Sequence, residues 1–418
     1  MVRNNQANFD VNCISMISRV VVPLIYGSIA VRAIALSTKL LLVFCLPVSS
    51  YADYSIMFAL FLTLLPLSTF NMAATLSRGH YRARGLAAYV PAAIILVVFL
   101  SAICSFLFTG RLDIDQAGKP KQALLFVLFF GFLFQGLIAI YAGGALSRGE
   151  SYEVAKIESI DAICKLIVTV IILACGYLDA LYLFSAQLLA SVITLFFIVR
   201  KSTLAISICG PYLSAIWLLL MDGGKFVACS IIFLAYFFFL RESLYLVDKG
   251  YAASFDLAIV FYSLPKMLFS AVSRAIIPLA GTNALKLSGY GKKLLWMIVS
   301  SAFLSLTIYY VQGNKNFLFL LERFELTEYQ MAFTCLAILI LGAVFDFLYG
   351  VLSSYLFGMG SYRVVMVSSL IAVAILASLT SMVIQFYGLL GAAALYIATY
   401  GLSLGLIVTW KKDAFKSW

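Results

Sequence analysis

Apolar residues run along this chain in long unbroken stretches, separated by short segments that are polar and mostly basic. A bilayer core of about 30 Å takes roughly 20 helical residues at about 1.5 Å each. Cut to that length, the stretches predict twelve spans, at about residues 27–49, 54–76, 86–108, 123–146, 158–178, 180–199, 227–247, 254–281, 293–311, 330–356, 363–385 and 388–410. Because the stretches are continuously apolar and do not alternate, a β-barrel is excluded. Two apolar pieces fall outside the twelve. Residues 12–26, which carry Arg19, predict a surface helix or a lead-in to the first span. Residues 203–222, broken by Gly210-Pro211, predict an interfacial connection. The expected fold is therefore all-α and polytopic. An N-terminal six-helix lobe spans 1–202, a connecting segment 203–224 and a C-terminal six-helix lobe 225–418.

Composition narrows the function. Hydrophobic residues are 64% of the 418 and charged ones 11%, against about 45–50% and about 25% in soluble proteins. Mean hydropathy is +1.05. A soluble enzyme, a nucleic-acid binder and a secreted disulfide scaffold are all excluded, although the formal net charge is +11. The eight cysteines are scattered without a C-x-x-C, and His80 is the single histidine, so neither a zinc site nor another cofactor is expected. The polar start MVRNNQANFDVN argues against a cleavable signal peptide. With the N-terminus cytoplasmic, sixteen Lys and Arg fall inside, including Arg78, Arg82, Arg84, Lys286, Lys292, Lys293, Lys411 and Lys412. Only Arg111, Lys119, Lys121, Lys249, Lys315 and Arg323 fall outside. That asymmetry predicts both termini in the cytoplasm.

The two halves repeat each other. Tyr51-Ala52 is matched by Tyr251-Ala252, and Leu65-Pro66 by Leu264-Pro265. Ser151-Tyr152 opening the fifth span is matched by Ser361-Tyr362 opening the eleventh, and Gly176-Tyr-Leu-Asp-Ala180 by Gly388-Leu-Leu-Gly-Ala392. Six spans per half is an even number, so the halves share an orientation and are related by an axis along the membrane normal. In that plan the substrate site lies between them, which predicts a transporter.

Charges inside the spans carry the remaining chemistry, because each costs at least about 2.5–3.5 kcal/mol at mid-depth unless it meets a cavity or a partner. Counting residues from the outer boundary puts Lys39, Arg241 and Lys266 near the middle, Lys266 directly after the helix-kinking Pro265. Arg32 and Arg274 fall toward the cytoplasmic mouth. Lys39, Arg241 and Lys266 are expected to share one water-filled cationic layer, which implies an anionic substrate. Among the acids, Asp161 and Lys165 stand i, i+4 in the favourable order for a pair. Glu242 points about 100° away from Arg241 on a helix, and Asp346 has no basic residue within one turn, which leaves it protonated or paired across spans. Tyr236, Tyr245 and Tyr262 are candidates for stacking on sugars.

Several of these segments together resemble a known family. They are Ser50-Tyr51-Ala52-Asp53-Tyr54 with the following Leu-Pro, the turn Ala145-Leu146-Ser147-Arg148-Gly149, Tyr251 with Asp256-Leu-Ala258, and Gly388-x-x-Gly391-Ala-Ala. The chain resembles the O-antigen and polysaccharide flippases of the multidrug/oligosaccharidyl-lipid/polysaccharide (MOP) exporter superfamily. The resemblance implies two six-helix lobes around an electropositive cavity. It also implies transfer of undecaprenyl-pyrophosphate-linked oligosaccharide from the cytoplasmic to the periplasmic leaflet of the bacterial inner membrane. Alternating access driven by an ion gradient comes with it, in a transporter and not an enzyme. Partners would be the polyprenyl-pyrophosphate-linked oligosaccharide, membrane lipids and the polymerase and chain-length proteins of the same pathway, with no nucleic acid. In that frame Lys39, Arg241, Lys266, Arg32 and Arg274 bind substrate, and Glu242, Asp256 and Asp161 are the ion-coupling candidates. Two alternatives stay open: a cation-coupled multidrug or small-molecule antiporter, which would want acids where the first span has Arg32 and Lys39, and an O-antigen polymerase, which would want a longer outer loop than about 312–329.

Overall fold

The computed structural model describes residues 26–27, 29–76, 89–111, 121–148, 150–201, 212–280, 291–323 and 327–410. Every regular element among them is helical. In chain order they are α1 (29–45), α2 (Val48–Thr69), α3 (Met72–Leu76), α4 (Val90–Arg111), α5 (Lys121–Arg148), α6 (Ser151–Ala174), α7 (Ala180–Lys201), α8 (Tyr212–Val247), α9 (Lys249–Ala280), α10 (Gly291–Gln312), α11 (Lys315–Arg323), α12 (Gln330–Leu341), α13 (Ala343–Gly358) and α14 (Tyr362–Trp410). Each of the twelve expected spans coincides with a helix, a broken pair or one arm of α14. Among the described residues six helices are long and apolar enough to cross a bilayer, and α12 with α13, bent by 47°, is a seventh if the pair is one broken span. The chain is an all-α polytopic membrane protein.

Two differences from the expected layout have plain causes. Residues 212–222 of the expected connecting segment are the first turns of α8. Its 36 residues would reach about 54 Å, well beyond a bilayer core. The rest of that segment, and residues 12–25, lie outside the described residues. The eleventh and twelfth spans are the two arms of the 49-residue α14, whose helical geometry fails at Gly388 (φ 53, ψ −130). A Cβ on Gly391 would lie 2.7 Å from the carbonyl oxygen of Val383. Residues eight apart come that close only where the chain doubles back. The repeat supports the same point, since Gly176 and Gly388, paired across the halves, both have positive φ (80 and 53). After Gly176, the carboxylate of Asp179 accepts the Leu181 amide at 2.8 Å and caps α7.

Contacts divide the chain into two compact units. The first takes Met1–Ile34, Leu65–Val168 and Gln187–Val227, and its described core joins α3, α4, α5 and the start of α8 through Met72, Leu76, Ala93, Val97 and Leu219. Small residues let these helices approach closely: a Cβ on Gly143 would come within 2.6 Å of the Met72 carbonyl oxygen. Between α2 and α3, Phe70 and Asn71 both have positive φ (48 and 47). The Phe70 ring lies on Gly223, where a Cβ would meet its Cδ1 at 2.5 Å. The second unit takes Ala35–Leu64, Thr169–Ala186 and Ala228–Trp418. Here α9 packs on α12 and α13, and α14 on α13.

The two positive-φ glycines of the second half separate backbone cost from contact cost. A Cβ on Gly360 (φ +73) meets nothing within 4 Å, whereas one on Gly388 meets Tyr251 Cε2 at 3.2 Å in a region open essentially to glycine alone. Gly360→Ala is expected to cost about 1–2 kcal/mol, and Gly388→Ala more, about 2–4 kcal/mol. Thermal unfolding of the two purified variants checks the order; equal midpoints would contradict a glycine-dependent reversal.

Candidate functional site

The buried charges of the second unit gather at two centres on α9, ten residues apart and so about 15 Å along its axis. The first is Asp256, 4% exposed. Its Oδ2 accepts the Lys39 ammonium of α1 and the Tyr51 hydroxyl of α2, both at 2.8 Å. Its Oδ1 accepts Nη2 of Arg241 from α8 at 3.3 Å. Aromatic rings shelter the ammonium, with Tyr54 and Phe58 centroids 4.9 and 4.7 Å away. Helical periodicity explains the ring wall, since Tyr51, Tyr54 and Phe58 stand at i, i+3 and i+7 on one face of α2. Two cations on one carboxylate leave a formal charge of +1. The Nε of Arg241 is buried with no hydrogen-bond partner among the described residues. This centre is thus rich in donors and short of acceptors.

At the second centre the ammonium of Lys266, one residue after Pro265, pairs with Oδ2 of Asp346 on α13 at 2.8 Å. It also donates to the hydroxyls of Tyr400 at 2.7 Å and Tyr396 at 3.2 Å on the second arm of α14. Tyr262 donates to the same Asp346 oxygen at 3.0 Å, leaving Oδ1 outside these bonds. Tyr396 stacks on Phe237 at 4.2 Å, and Tyr400 meets Phe233 edge-on. This centre is formally neutral, and Lys266 is 33% exposed while Asp346 is 9% exposed. It is therefore the more accessible of the two and has acceptor capacity to spare.

A third acid, partly buried, lies in the first unit. Asp161 and Lys165 form the i, i+4 pair on α6. Thr194 of α7 donates to Asp161 at 3.2 Å, and Gln135 of α5 bridges Asp161 and Ser191.

The expectation of one open cationic layer is corrected by these contacts. Lys39 and Arg241 do converge, but on a shared carboxylate, and Lys266 belongs to a different centre with its own. The physical reason is the desolvation of an ion in an apolar interior, which is offset when another helix brings a counter-ion. Glu242 is half-buried next to Arg241, and Arg32 is exposed in the first unit. The side chain of Arg274 lies outside the described residues. Of the three tyrosines proposed to stack on sugars, Tyr236 and Tyr262 are 3% and 1% exposed, so neither ring offers a free face. Tyr245 donates to Asp53, which also takes Lys249 at 2.8 Å. Sequence reasoning missed the ties of Asp256 to Lys39 and of Asp346 to Lys266, and the Tyr51, Tyr396 and Tyr400 hydroxyls that complete them. One signal was present: Asp346 and Lys266 were two opposite charges, each lacking a mate on its own helix.

Neither a protein-family model nor a curated protein sequence matches the chain. Solved structures do. A MOP superfamily transporter from Pyrococcus furiosus, whose binding pocket of reverse polarity suggests a different function, superposes with a TM-score of 0.68 at 14% identity, over 96% of this chain and 95% of that one. A mutant of the Vibrio cholerae MATE transporter VcmN gives 0.62 at 13%, covering 97% of each chain. An inward-facing multidrug resistance MATE family transporter of the MOP superfamily gives 0.64 at 13%, covering 94% of each. The fold is that of the MATE transporters. The MOP superfamily suggested by the sequence is met at the level of fold. No polysaccharide flippase stands among these likenesses, which are of fold alone.

The unequal sharing at Asp256 makes a directional test. Asp256→Asn strips the counter-ion from two buried cations and is expected to cost about 3–5 kcal/mol. Lys39→Met leaves Asp256 still paired with Arg241 and is expected to cost less than half of that. Thermal unfolding in detergent compares them, and an equal loss would mean that Arg241 does not share the carboxylate.

Proposed function

We propose that the chain is a cation-coupled secondary transporter working by alternating access, with the Lys266–Asp346 pair as its exchange point. The single observation that carries this reading is that pair. It is a buried carboxylate whose partner ammonium is a third exposed and ringed by tyrosine hydroxyls. A proton, a sodium ion or an organic ammonium binding at Asp346 takes the place of the Lys266 charge one for one. The displaced Lys266 ammonium stays attached to α9 and turns to its exposed side, so that no ion is left uncompensated in the apolar interior. Tyr396 and Tyr400, at 5.6 and 4.7 Å from the ammonium, are 4% and 6% exposed, so an organic cation would reach their rings only where the lysine has turned aside. Likeness in fold to multidrug MATE transporters over nearly the whole chain supports the same reading. Alternating access would open the site first to one side and then to the other of the bacterial inner membrane.

A lipid-linked oligosaccharide flippase is the second reading, favoured by the +1 charge at Asp256 and the unfilled Nε donor of Arg241. There Lys39 and Arg241 would hold a pyrophosphate, and loss of Arg241 would stop surface glycan.

Proteoliposomes separate the two. Under an imposed proton or sodium gradient, the wild type is expected to move a fluorescent organic cation. Asp346→Asn is expected to cut that rate at least about tenfold, since a charge-assisted contact is worth roughly 1.5–3 kcal/mol. Absence of gradient-driven cation movement, together with transfer of a lipid-linked oligosaccharide across the same vesicles, would sink the first reading in favour of the second.

A further inference from the structure

Within the first unit a cleft of about 240 Å³ opens among three helices: Tyr141 of α5, Ile157 and Ile160 of α6, and Phe197 of α7 form its walls. Two charges, Glu153 and Lys156, stand in the same cleft. They are three residues apart on α6 and so share a face. No ion pair ties either of them among the described residues. The depth is informative. Lys156 lies five residues inside the start of α6, Tyr141 seven before the end of α5 and Phe197 four before the end of α7. All are therefore within about 10 Å of helix ends that the short turn between α5 and α6 and the antiparallel run of α7 put on one membrane face. That is the boundary between headgroups and acyl chains. Phe197 is 46% exposed, so the apolar side of the cleft opens outward from the unit.

We propose that this cleft binds one zwitterionic phospholipid, its phosphate at Lys156, its ammonium at Glu153 and one acyl chain along Ile157, Ile160 and Phe197. The pairing follows from charge complementarity. A cation and an anion side by side repel a purely anionic headgroup at one point and a purely cationic one at the other. A carboxylate accepts hydrogen bonds from a primary ammonium, whereas a quaternary ammonium has no N–H to donate, which favours ethanolamine over choline. Such a lipid is a resident of the transporter's flank and stands apart from the Asp256 and Asp346 centres, so the inference does not rest on the transport reading.

Native mass spectrometry of the purified full chain in micelles tests it, with equimolar ethanolamine, choline and glycerol phospholipids of identical acyl chains. The wild type is expected to retain the ethanolamine lipid over the glycerol lipid by about fivefold, the worth of one exposed charge contact. Glu153→Gln is expected to erase that preference, and Lys156→Gln to lower retention of all three lipids. Ile160→Trp fills a wall and is expected to displace the acyl chain. Should it fail to fold, the two half-buried charge variants keep the test decisive. Free phosphoethanolamine is expected to displace nothing, since the apolar walls hold the chain. Equal retention of the three lipids by the wild type, unchanged preference in both charge variants, or displacement by free phosphoethanolamine would each overturn the proposal.

Discussion

An ion inside a membrane protein must find its counter-ion within the protein, and α9 is where this chain meets that demand twice. The helix carries a carboxylate, Asp256, that receives two cations from α1 and α8, and a cation, Lys266, that receives a carboxylate from α13. None of the three partners lies on α9 itself. Folding of the second unit is therefore tied to bringing helices from distant parts of the sequence together, because any arrangement that separates them strands a charge in an apolar medium. The aromatic residues follow from the same demand. Tyr51, Tyr262, Tyr396 and Tyr400 satisfy with hydroxyls what a single ion pair leaves open, while their rings supply the apolar packing.

The two centres are chemically unlike, and the difference bears on the proposed transport. At Asp256 every carboxylate oxygen is taken and a guanidinium donor is left over. A cation enters there only by displacing Lys39 or Arg241, whose side chains are 10% and 14% exposed and have little open side to turn to. At Asp346 one oxygen stays outside the bonds to Lys266 and Tyr262, and the lysine is partly exposed. A mobile cation there competes with one flexible side chain and needs no rearrangement of a helix. Differential affinity between two states is what shifts a conformational equilibrium. Of the two, the Asp346 centre is the one where binding and release are compatible with such a shift, and the Asp256 centre is the one built to hold.

Much of the fold was legible in the chain because span length is a one-dimensional property. Twelve apolar runs were counted and twelve spans have helices under them, and the Gly176 and Gly388 match across the halves marked two hairpin turns. The interior chemistry was legible only by residue type and depth. Placing Lys39, Arg241 and Lys266 at mid-depth correctly flagged groups in need of an explanation, but depth along a helix says nothing of the rotation about its axis or of the neighbouring helix. Pairs such as Lys39–Asp256, 217 positions apart, depend on both. The i, i+4 pair Asp161–Lys165 was readable because its geometry is local. Residues 212–222 read as a connection because Gly210-Pro211 reads as a break, and α8 begins after it.

Polarity of the passenger is a question the fold leaves open, since one solved relative in fold is distinguished by reverse polarity of its pocket. It is decided by the balance of buried donors and acceptors, and a count of cations alone misleads. Three mid-membrane cations suggested an anionic passenger until the carboxylates were placed. Summed over both centres, three cations meet two carboxylates, and the surplus sits on Arg241 at Asp256. An anion could be drawn there only weakly, because it would approach the Asp256 carboxylate as well. A cation at Asp346 displaces the Lys266 ammonium, which stays on α9 and has an exposed side to turn to. The same buried lysine that argued for an anion thus becomes, once its partner is known, a built-in competitor for a cation.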